Sequence, residues 1–307
     1  MKAFITGIDG FIGKHLVSLL KKENIEVSGI DLNPKTKYIH CNLLDKNKLE
    51  KTIKKIKPDY VFHLASPILR SDKLIDKTLA KNLEVDLFGT VNLLQTISHL
   101  AKKPKTLIAS TAAVYRKNKG KPFKETDKLE PRTGYGLSKL TQELIGLKLA
   151  KSYNIPVIVS RSILLIGTHQ AKGFVVNDLL KQVAEMELNK TKSVLWVGDL
   201  KAKRDFTDVR DGVRAYLTLL EKGKPGEVFN VCNNKPVEIR EIIEWLKEKS
   251  KLKFKVKEKS QWRNNDLNVL VGNNEKLKRL GWKPEYKLEE SLQKILDYWR
   301  NTFKDRP

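Results

Sequence analysis

Met1-Lys-Ala-Phe-Ile-Thr-Gly-Ile-Asp-Gly-Phe-Ile-Gly13 runs a short apolar strand straight into three glycines spaced Gly7-x-x-Gly10-x-x-Gly13, and an amphipathic helix follows. In such a turn one glycine permits the tight reversal and one lets backbone N–H groups approach a pyrophosphate. The third lets the helix pack closely on the strand, so phosphates meet the positive end of that helix. Glycines alone would say little. Here the next apolar run, Val27-Ser28-Gly29-Ile30, ends in Asp31, where an acid can hold an adenosine ribose diol. The stretch therefore reads as a dinucleotide site, with Gly7, Gly10, Phe11, Ile12, Gly13 and Asp31 as its candidate residues.

Outward from that turn the chain alternates strand and helix, the rhythm of a parallel sheet covered on both faces. Strands are expected at Lys2–Thr6, Glu26–Ile30, Lys37–His40, Tyr60–Leu64, Thr106–Ser110 and Val157–Arg161. Helices are expected at Phe11–Glu23, Lys46–Ile56, Leu83–Leu100 and Gly134–Tyr153. Right-handed crossovers wind these into one α/β, Rossmann-type doubly wound sheet. Beyond Ile166 the rhythm weakens. Helices at Phe174–Glu187, Val209–Leu220 (capped by Asp208), Ile239–Lys249, Asn274–Leu280 and Leu288–Arg300 alternate with strands at Val194–Val197 and Val228–Val231. The expected division is a nucleotide-binding domain of residues 1–165 plus about 205–232. A smaller C-terminal substrate-binding lobe, residues 166–204 and 233–307, lies over the carboxyl ends of the strands, and its core is expected to hold Trp245, Trp262, Trp282 and Trp299.

The 307 residues suffice for a large core, and 40% hydrophobic with 31% charged residues fits a folded soluble chain. No apolar run approaches the roughly 20 residues of a membrane span. The N-terminal apolar stretch lacks a small-residue cleavage site and reads as the first strand rather than a signal peptide. Cys41 and Cys232 show neither a disulfide framework nor metal-ligand spacing, so a cytoplasmic location and no metal are expected. A formal charge of +24 raises polyanion binding. The lysines are spread along the chain, however, and in Lys247–Lys259 they alternate with Leu252, Phe254 and Val256 as on a strand's solvent face, so no specific nucleic-acid partner is expected.

Tyr135-Gly-Leu-Ser-Lys139 sets a phenol and an ammonium four residues apart on one helix face. A free tyrosine titrates at about 10, and a neighbouring ammonium favours phenolate and brings that value toward neutrality. The motif opens the helix after the fifth strand, which ends Ala109-Ser110-Thr111-Ala112-Ala113. From there the Thr111 hydroxyl can join Tyr135 in hydrogen-bonding a substrate carbonyl. His15 and His63 are expected to pack or face solvent rather than catalyse.

These features together resemble an extended short-chain dehydrogenase/reductase of the nucleotide-sugar-modifying kind. The likeness rests on the glycine turn, Asp31, Pro58-Asp-Tyr-Val-Phe-His-Leu-Ala65, Gly89-Thr-Val-Asn-Leu-Leu94 and Tyr135/Lys139. It implies hydride transfer between C4 of a sugar nucleotide and nicotinamide. Tyr135 would be the general acid/base, Lys139 would hold the ribose and lower the tyrosine's pKa, and Thr111 would polarise the carbonyl. It also implies that Asn42 and Leu43 line the adenine pocket and that Leu64, Ala65 and Ser66 run beneath the cofactor. The second half, with Gly173-Phe-Val-Val, Val197-Gly-Asp-Leu, Arg204-Asp-Phe-Thr-Asp-Val-Arg-Asp211 and Arg263-Asn-Asn-Asp266, is similar to the branch acting on GDP-mannose derivatives. On that likeness Arg204, Arg263 and Asp266 bind the sugar nucleotide.

In the dehydratases of that branch a glutamate stands two residues after the catalytic threonine, and here the place is Ala113. Alanine moves no protons. The resemblance therefore implies an NAD(P)H-dependent 4-ketoreductase giving GDP-6-deoxy-D-mannose (GDP-D-rhamnose) or its 4-epimer. The alternatives are a 4,6-dehydratase or 4-epimerase with tightly bound NAD, and, from another class, a catalytically idle dinucleotide- or polyanion-binding protein. Asp31 opposes a 2′-phosphate and favours NAD(H) over NADP(H), although Lys35 lies near enough in sequence to accept one. Departures from the family pattern are Asp86 for asparagine, Leu164 for asparagine, and Thr168 and Asn177 for prolines. Relatives pair through the helices matching Leu83–Leu100 and Gly134–Tyr153, so a homodimer is expected, with Leu140, Leu144 and Leu147 as candidate contacts.

Overall fold

The computed structural model describes residues 1–67, 74, 77–118, 120–189, 194–259 and 269–304. Strand β1 (Lys2–Thr6), helix α1 (Phe11–Lys22), β2 (Glu26–Asp31) and β3 (Ile39–His40) open the chain. They are followed by α2 (Lys46–Ile56), β4 (Tyr60–His63), α3 (Lys77–Leu83), α4 (Thr90–Ser98), β5 (Lys105–Thr111), α5 (Gly134–Tyr153) and β6 (Val157–Ser162). Then come β7 (Leu164–Ile166), α6 (Val175–Asn189), β8 (Val194–Val197), β9 (Lys203–Asp208), α7 (Val209–Lys222) and β10 (Val228–Val231). The chain closes with β11 (Pro236–Glu238), α8 (Ile239–Lys249), β12 (Lys255–Glu258), β13 (Val269–Leu270), α9 (Glu275–Lys278) and α10 (Leu288–Lys304).

Seven strands form one parallel sheet in the order β10-β6-β5-β4-β1-β2-β3. The chain reverses direction across the sheet between β1 and β4, and ligands of open α/β sheets bind at the carboxyl ends there. Buried Val, Ile, Leu and Phe fill both sides. Leu16, Leu20, Val213 and Tyr216 pack one face with Ile5, Phe62 and Leu107. Leu49, Ile53, Leu93 and Ile97 pack the other with Phe4, Val61 and Ile108. A second core joins α6, α8 and α10 beside the smaller sheets. Trp245 and Trp299 lie against it, whereas Trp282 packs with α7 in the first core and donates to the Asp211 carbonyl, 3.1 Å. Trp262 lies outside the described residues.

Local chemistry sets the ends of the helices. Asp45, Thr133 and Asp208 each accept a backbone N–H at the start of α2, α5 and α7, as N-caps should. Lys57 and Asn154 end α2 and α5 in left-handed backbone, φ 51° and 52°.

The expected helix Leu83–Leu100 is present through Ser98 but carries one wide turn. A π-helical turn, Glu84–Gly89, separates α3 from α4. A Cβ on Gly89 would meet Leu43 Cδ2 at 2.5 Å, and the Thr90 hydroxyl donates to the Asp86 carbonyl at 2.5 Å. Apolar spacing cannot separate one wide turn from an α-turn, so the pattern predicts none.

Candidate active site

The glycine turn lies at the end of β1, and Leu64, Ala65 and Ser66 follow the end of β4 beside it. Gly7 has φ +73°, and its N–H donates to the Ile30 carbonyl at 2.9 Å. A side chain there would stand 3.0 Å from the backbone of Ala65, and one on Gly13 would stand 2.4 Å from the Ile8 carbonyl oxygen. Both positions thus need glycine for close approach of backbone to backbone. Gly10 is exposed, Phe11 and Ile12 pack half-buried on the first core, and Asn42 is exposed. Leu43 is buried against Gly89. Asp31 accepts the N–H of Asp9 at 3.0 Å and of Asn33 at 2.9 Å. Asp9 Oδ2 and Ser66 Oγ are buried with no hydrogen-bond partner in the protein. Open polar atoms around a glycine cradle suit a dinucleotide bound across the turn.

Thr111 ends β5, and its hydroxyl accepts the Ala113 N–H at 3.3 Å. The first turn of α5 lies against that segment: a Cβ on Gly136 would come within 2.5 Å of the Ala113 carbonyl oxygen. Tyr135, half-buried, therefore sits beside the end of β5, and Lys139, 3% exposed, lies one turn further on. The structure thus brings the first turn of α5, with Tyr135, to the strand end that carries Thr111 and Ala113, and Lys139 lies one turn behind it.

A polar chain missed in the sequence supports Lys139 from behind. Its ammonium donates to Gln142 Oε1, and the Gln142 amide donates to Thr90 Oγ1 at 3.1 Å, beside His63 Nε2. The Thr90 hydroxyl gives its proton to the Asp86 carbonyl, so His63 Nε2–H donates to Thr90 Oγ1 at 2.9 Å, and Nδ1 accepts the Thr6 hydroxyl at 2.8 Å. Burial drives the His63 pKa down to about 3, and Lys139 adds to the effect, so the ring is neutral. Burial likewise lowers the Lys139 pKa, while Asp86 and Glu143 oppose the fall. Period-3.6 spacing on α5 marks Gln142 only as a neighbour of Lys139, which is why its role was not legible.

Arg204 lies half-buried on β9, with its Nη1 donating to the Lys203 carbonyl at 2.9 Å, and burial lowers its pKa. Asp205 beside it is fully buried and binds the N–H groups of Asn233, Asn234 and Gly272 at 3.0, 3.0 and 3.1 Å. One carboxylate thus ties β9 to the turn after β10 and to the backbone beyond β13. Burial raises its pKa to about 6 against those bonds. Arg263 and Asp266 lie outside the described residues. Among the described residues no group of three or more His, Cys, Asp or Glu could hold a metal ion, and no helix is long and apolar enough to cross a membrane.

A seven-stranded parallel sheet, a glycine turn at its switch point and a Tyr-x-x-x-Lys helix against the fifth strand define an extended short-chain dehydrogenase/reductase. The model of the GDP-mannose 4,6 dehydratase family matches residues 4–295, and the chain belongs to that family. It is 31% identical to the GDP-6-deoxy-D-mannose reductase of Pseudomonas aeruginosa over 308 residues, 99% of each chain. The structure of the P. aeruginosa RMD complexed with NADPH superposes with a TM-score of 0.85 over 98% of this chain and 99% of that one, at 31% identity. The UDP-glucose 4-epimerase of Thermotoga maritima with UDP-glucose gives a TM-score of 0.83 over 99% and 100%, at 26% identity.

Proposed function

We propose that this protein uses NAD(P)H to reduce the C4 ketone of a GDP-linked 4-keto-6-deoxyhexose, giving GDP-6-deoxy-D-mannose or its 4-epimer. The observation that carries the reading is the juxtaposition of α5 with the end of β5, where Tyr135, Lys139 and Thr111 have an alanine, Ala113, for company. Ketone reduction needs one proton donor; water elimination across C5–C6 needs a further acid/base that alanine cannot supply. Similarity to the P. aeruginosa reductase supports the GDP-sugar.

When bound, the reduced nicotinamide supplies the hydride. The glycine turn, Asp31 and Ser66 would hold the dinucleotide, with Asn42, Leu43, Leu64 and Ala65 along its path. Thr111 and Tyr135 would hydrogen-bond the ketone oxygen, and the Tyr135 phenol would give that oxygen its proton. Lys139 would orient the cofactor ribose and, by its charge, ease proton loss from the phenol. Arg204, with Arg263 and Asp266, would hold the sugar nucleotide; guanidinium forks match diphosphate oxygens. The division at 1–165 plus about 205–232 against the remainder belongs to the same reading.

The Asp31 carboxylate, already accepting two backbone N–H groups, leaves a 2′-phosphate facing negative charge, so NADH is the preferred cofactor although the P. aeruginosa relative is described with NADPH. Pairing of two copies through the π-helical turn, α4 and α5 is supported by Phe88 and Leu144, each 58% exposed. Leu140 and Leu147, by contrast, pack within the chain. Cys41 and Cys232 are free and buried, which suits a reducing cytoplasm. The test is nicotinamide absorbance during incubation with the GDP-4-keto-6-deoxy sugar: net loss supports reduction, and internal hydride cycling without loss would make the enzyme an epimerase or dehydratase.

A further inference from the structure

Asp86 is wholly buried in the π-helical turn Glu84–Gly89 and faces α5. Its Oδ2 accepts the Ser138 hydroxyl at 2.6 Å. Its Oδ1 stands 3.9 Å from the Lys139 ammonium and has no hydrogen-bond partner in the protein. We propose that Asp86 is a positioning residue whose carboxylate is the counter-charge that keeps the buried Lys139 ammonium protonated and aimed at the cofactor ribose. The inference rests on the reading of Lys139 as the ribose-holding lysine.

Charge and burial decide the assignment. An ammonium only 3% exposed cannot stay charged without a compensating group. Around Lys139, His63 on β4 is neutral. Glu143, on the same helix, is committed to Arg161 on β6 and to the Ser110 hydroxyl on β5. Lys81 and Glu84, at the α3 end of the turn, are exposed. Gln142 supplies an acceptor to Lys139 but no charge. Asp86 is left as the carboxylate with an uncommitted oxygen turned to the ammonium. The 3.9 Å separation exceeds a direct hydrogen bond and suits one bridging water or hydroxyl. The wide turn matters as well, since it sets Asp86 so that its carbonyl takes the Thr90 hydroxyl while its side chain reaches Ser138. Such turns recur at functional sites.

The experiment is the pH dependence of NADH and NADPH binding, read by cofactor fluorescence without sugar substrate, for the full chain and three variants. Asp86→Asn keeps the shape and a Ser138 acceptor but removes the charge. Wild-type affinity is expected to change less than about threefold between about pH 6.5 and 9, whereas the Asp86→Asn protein, sound at the lower pH, weakens about tenfold or more by the upper one as Lys139 loses its proton. Lys139→Met is expected to bind weakly at every pH. Should Asp86→Asn fail to fold, Asp86→Ser, which also removes the charge, is expected to show the same alkaline limb. A flat Asp86→Asn profile matching wild type, with Lys139→Met impaired, overturns the role of Asp86 alone; a flat Asp86→Ser profile does so where the first variant is lost. Wild-type binding by Lys139→Met overturns the reading of Lys139 and this inference with it.

Discussion

Gly136→Ala sets two effects of opposite sign against each other. Gly136 is the third residue of α5, where alanine gains about 0.5–1 kcal/mol from backbone entropy. Its new Cβ, however, would stand 2.5 Å from the Ala113 carbonyl oxygen, and 3.1 Å from both the Ala113 carbonyl carbon and Pro131 Cβ. Ordinary contact begins at 3.4 Å, so relief needs 3.4 − 2.5 = 0.9 Å of separation between α5 and the backbone after β5. Overpacking of that kind costs about 1–3 kcal/mol, so sterics win and stability falls by about 1–2 kcal/mol. The same displacement parts Tyr135 from Thr111, and a misplacement near 1 Å costs about 100-fold in rate. The assay is kcat/KM for ketone reduction together with the thermal midpoint. Gly146→Ala, ten residues along the same helix, is the control: its Cβ meets the mobile end of Ile108, 2.4 Å away, which can rotate aside. Wild-type turnover with a raised midpoint in Gly136→Ala would refute the reasoning.

Three other outcomes follow from the same contacts. Gly13→Ala, whose Cβ would lie 2.4 and 2.6 Å from two carbonyl oxygens of the turn, is expected to weaken NADH binding at least about 100-fold by fluorescence titration; unchanged affinity would remove the turn from the site. His63 has a folded-state pKa of about 3 against 6.5, so the unfolded chain binds the extra proton between those values. The His63 contribution is therefore flat above about pH 7.5 and costs about 1.6 kcal/mol between pH 6.5 and 5. It is read in urea titrations as the difference from a variant lacking the ring, because buried Asp205, raised to about 6, tilts the total the other way. A His63→Gln variant should lose that slope. Leu144→Asp, on the exposed face of α5, is expected to shift sedimentation from dimer to monomer without changing the fold; a dimeric variant would place the interface elsewhere.

The main sheet and α5 were legible because their signals are local. Lys46–Ile56 and Ile239–Lys249 carry apolar spacing with caps, Gly134–Tyr153 carries the Thr133 cap and the Tyr-x-x-x-Lys spacing, and the structure gives them those ends. The second sheet was not. Strand β9 reads Lys203-Arg-Asp-Phe-Thr-Asp208, and its buried Asp205, Thr207 and Asp208 look like loop residues until their distant partners are in place. β7, β11 and β13 have two or three residues each, too few to show a period. The same limit hid the active-site support. Tyr135 and Lys139 announce themselves by spacing, but Gln142, His63, Thr90 and Asp86 meet only when one strand, the π-helical turn and two helices converge. Leu140, Leu144 and Leu147 look alike in sequence, and only packing separates the exposed Leu144 from its partly buried neighbours.

The most direct test of the central claim follows nicotinamide absorbance as the purified protein meets NADH and the GDP-4-keto-6-deoxy sugar, with Tyr135→Phe alongside. One NADH consumed per ketone reduced is expected, with turnover falling about 100- to 10,000-fold in the variant while cofactor binding persists. Full turnover by Tyr135→Phe, or conversion of the sugar with no loss of NADH, would contradict the account.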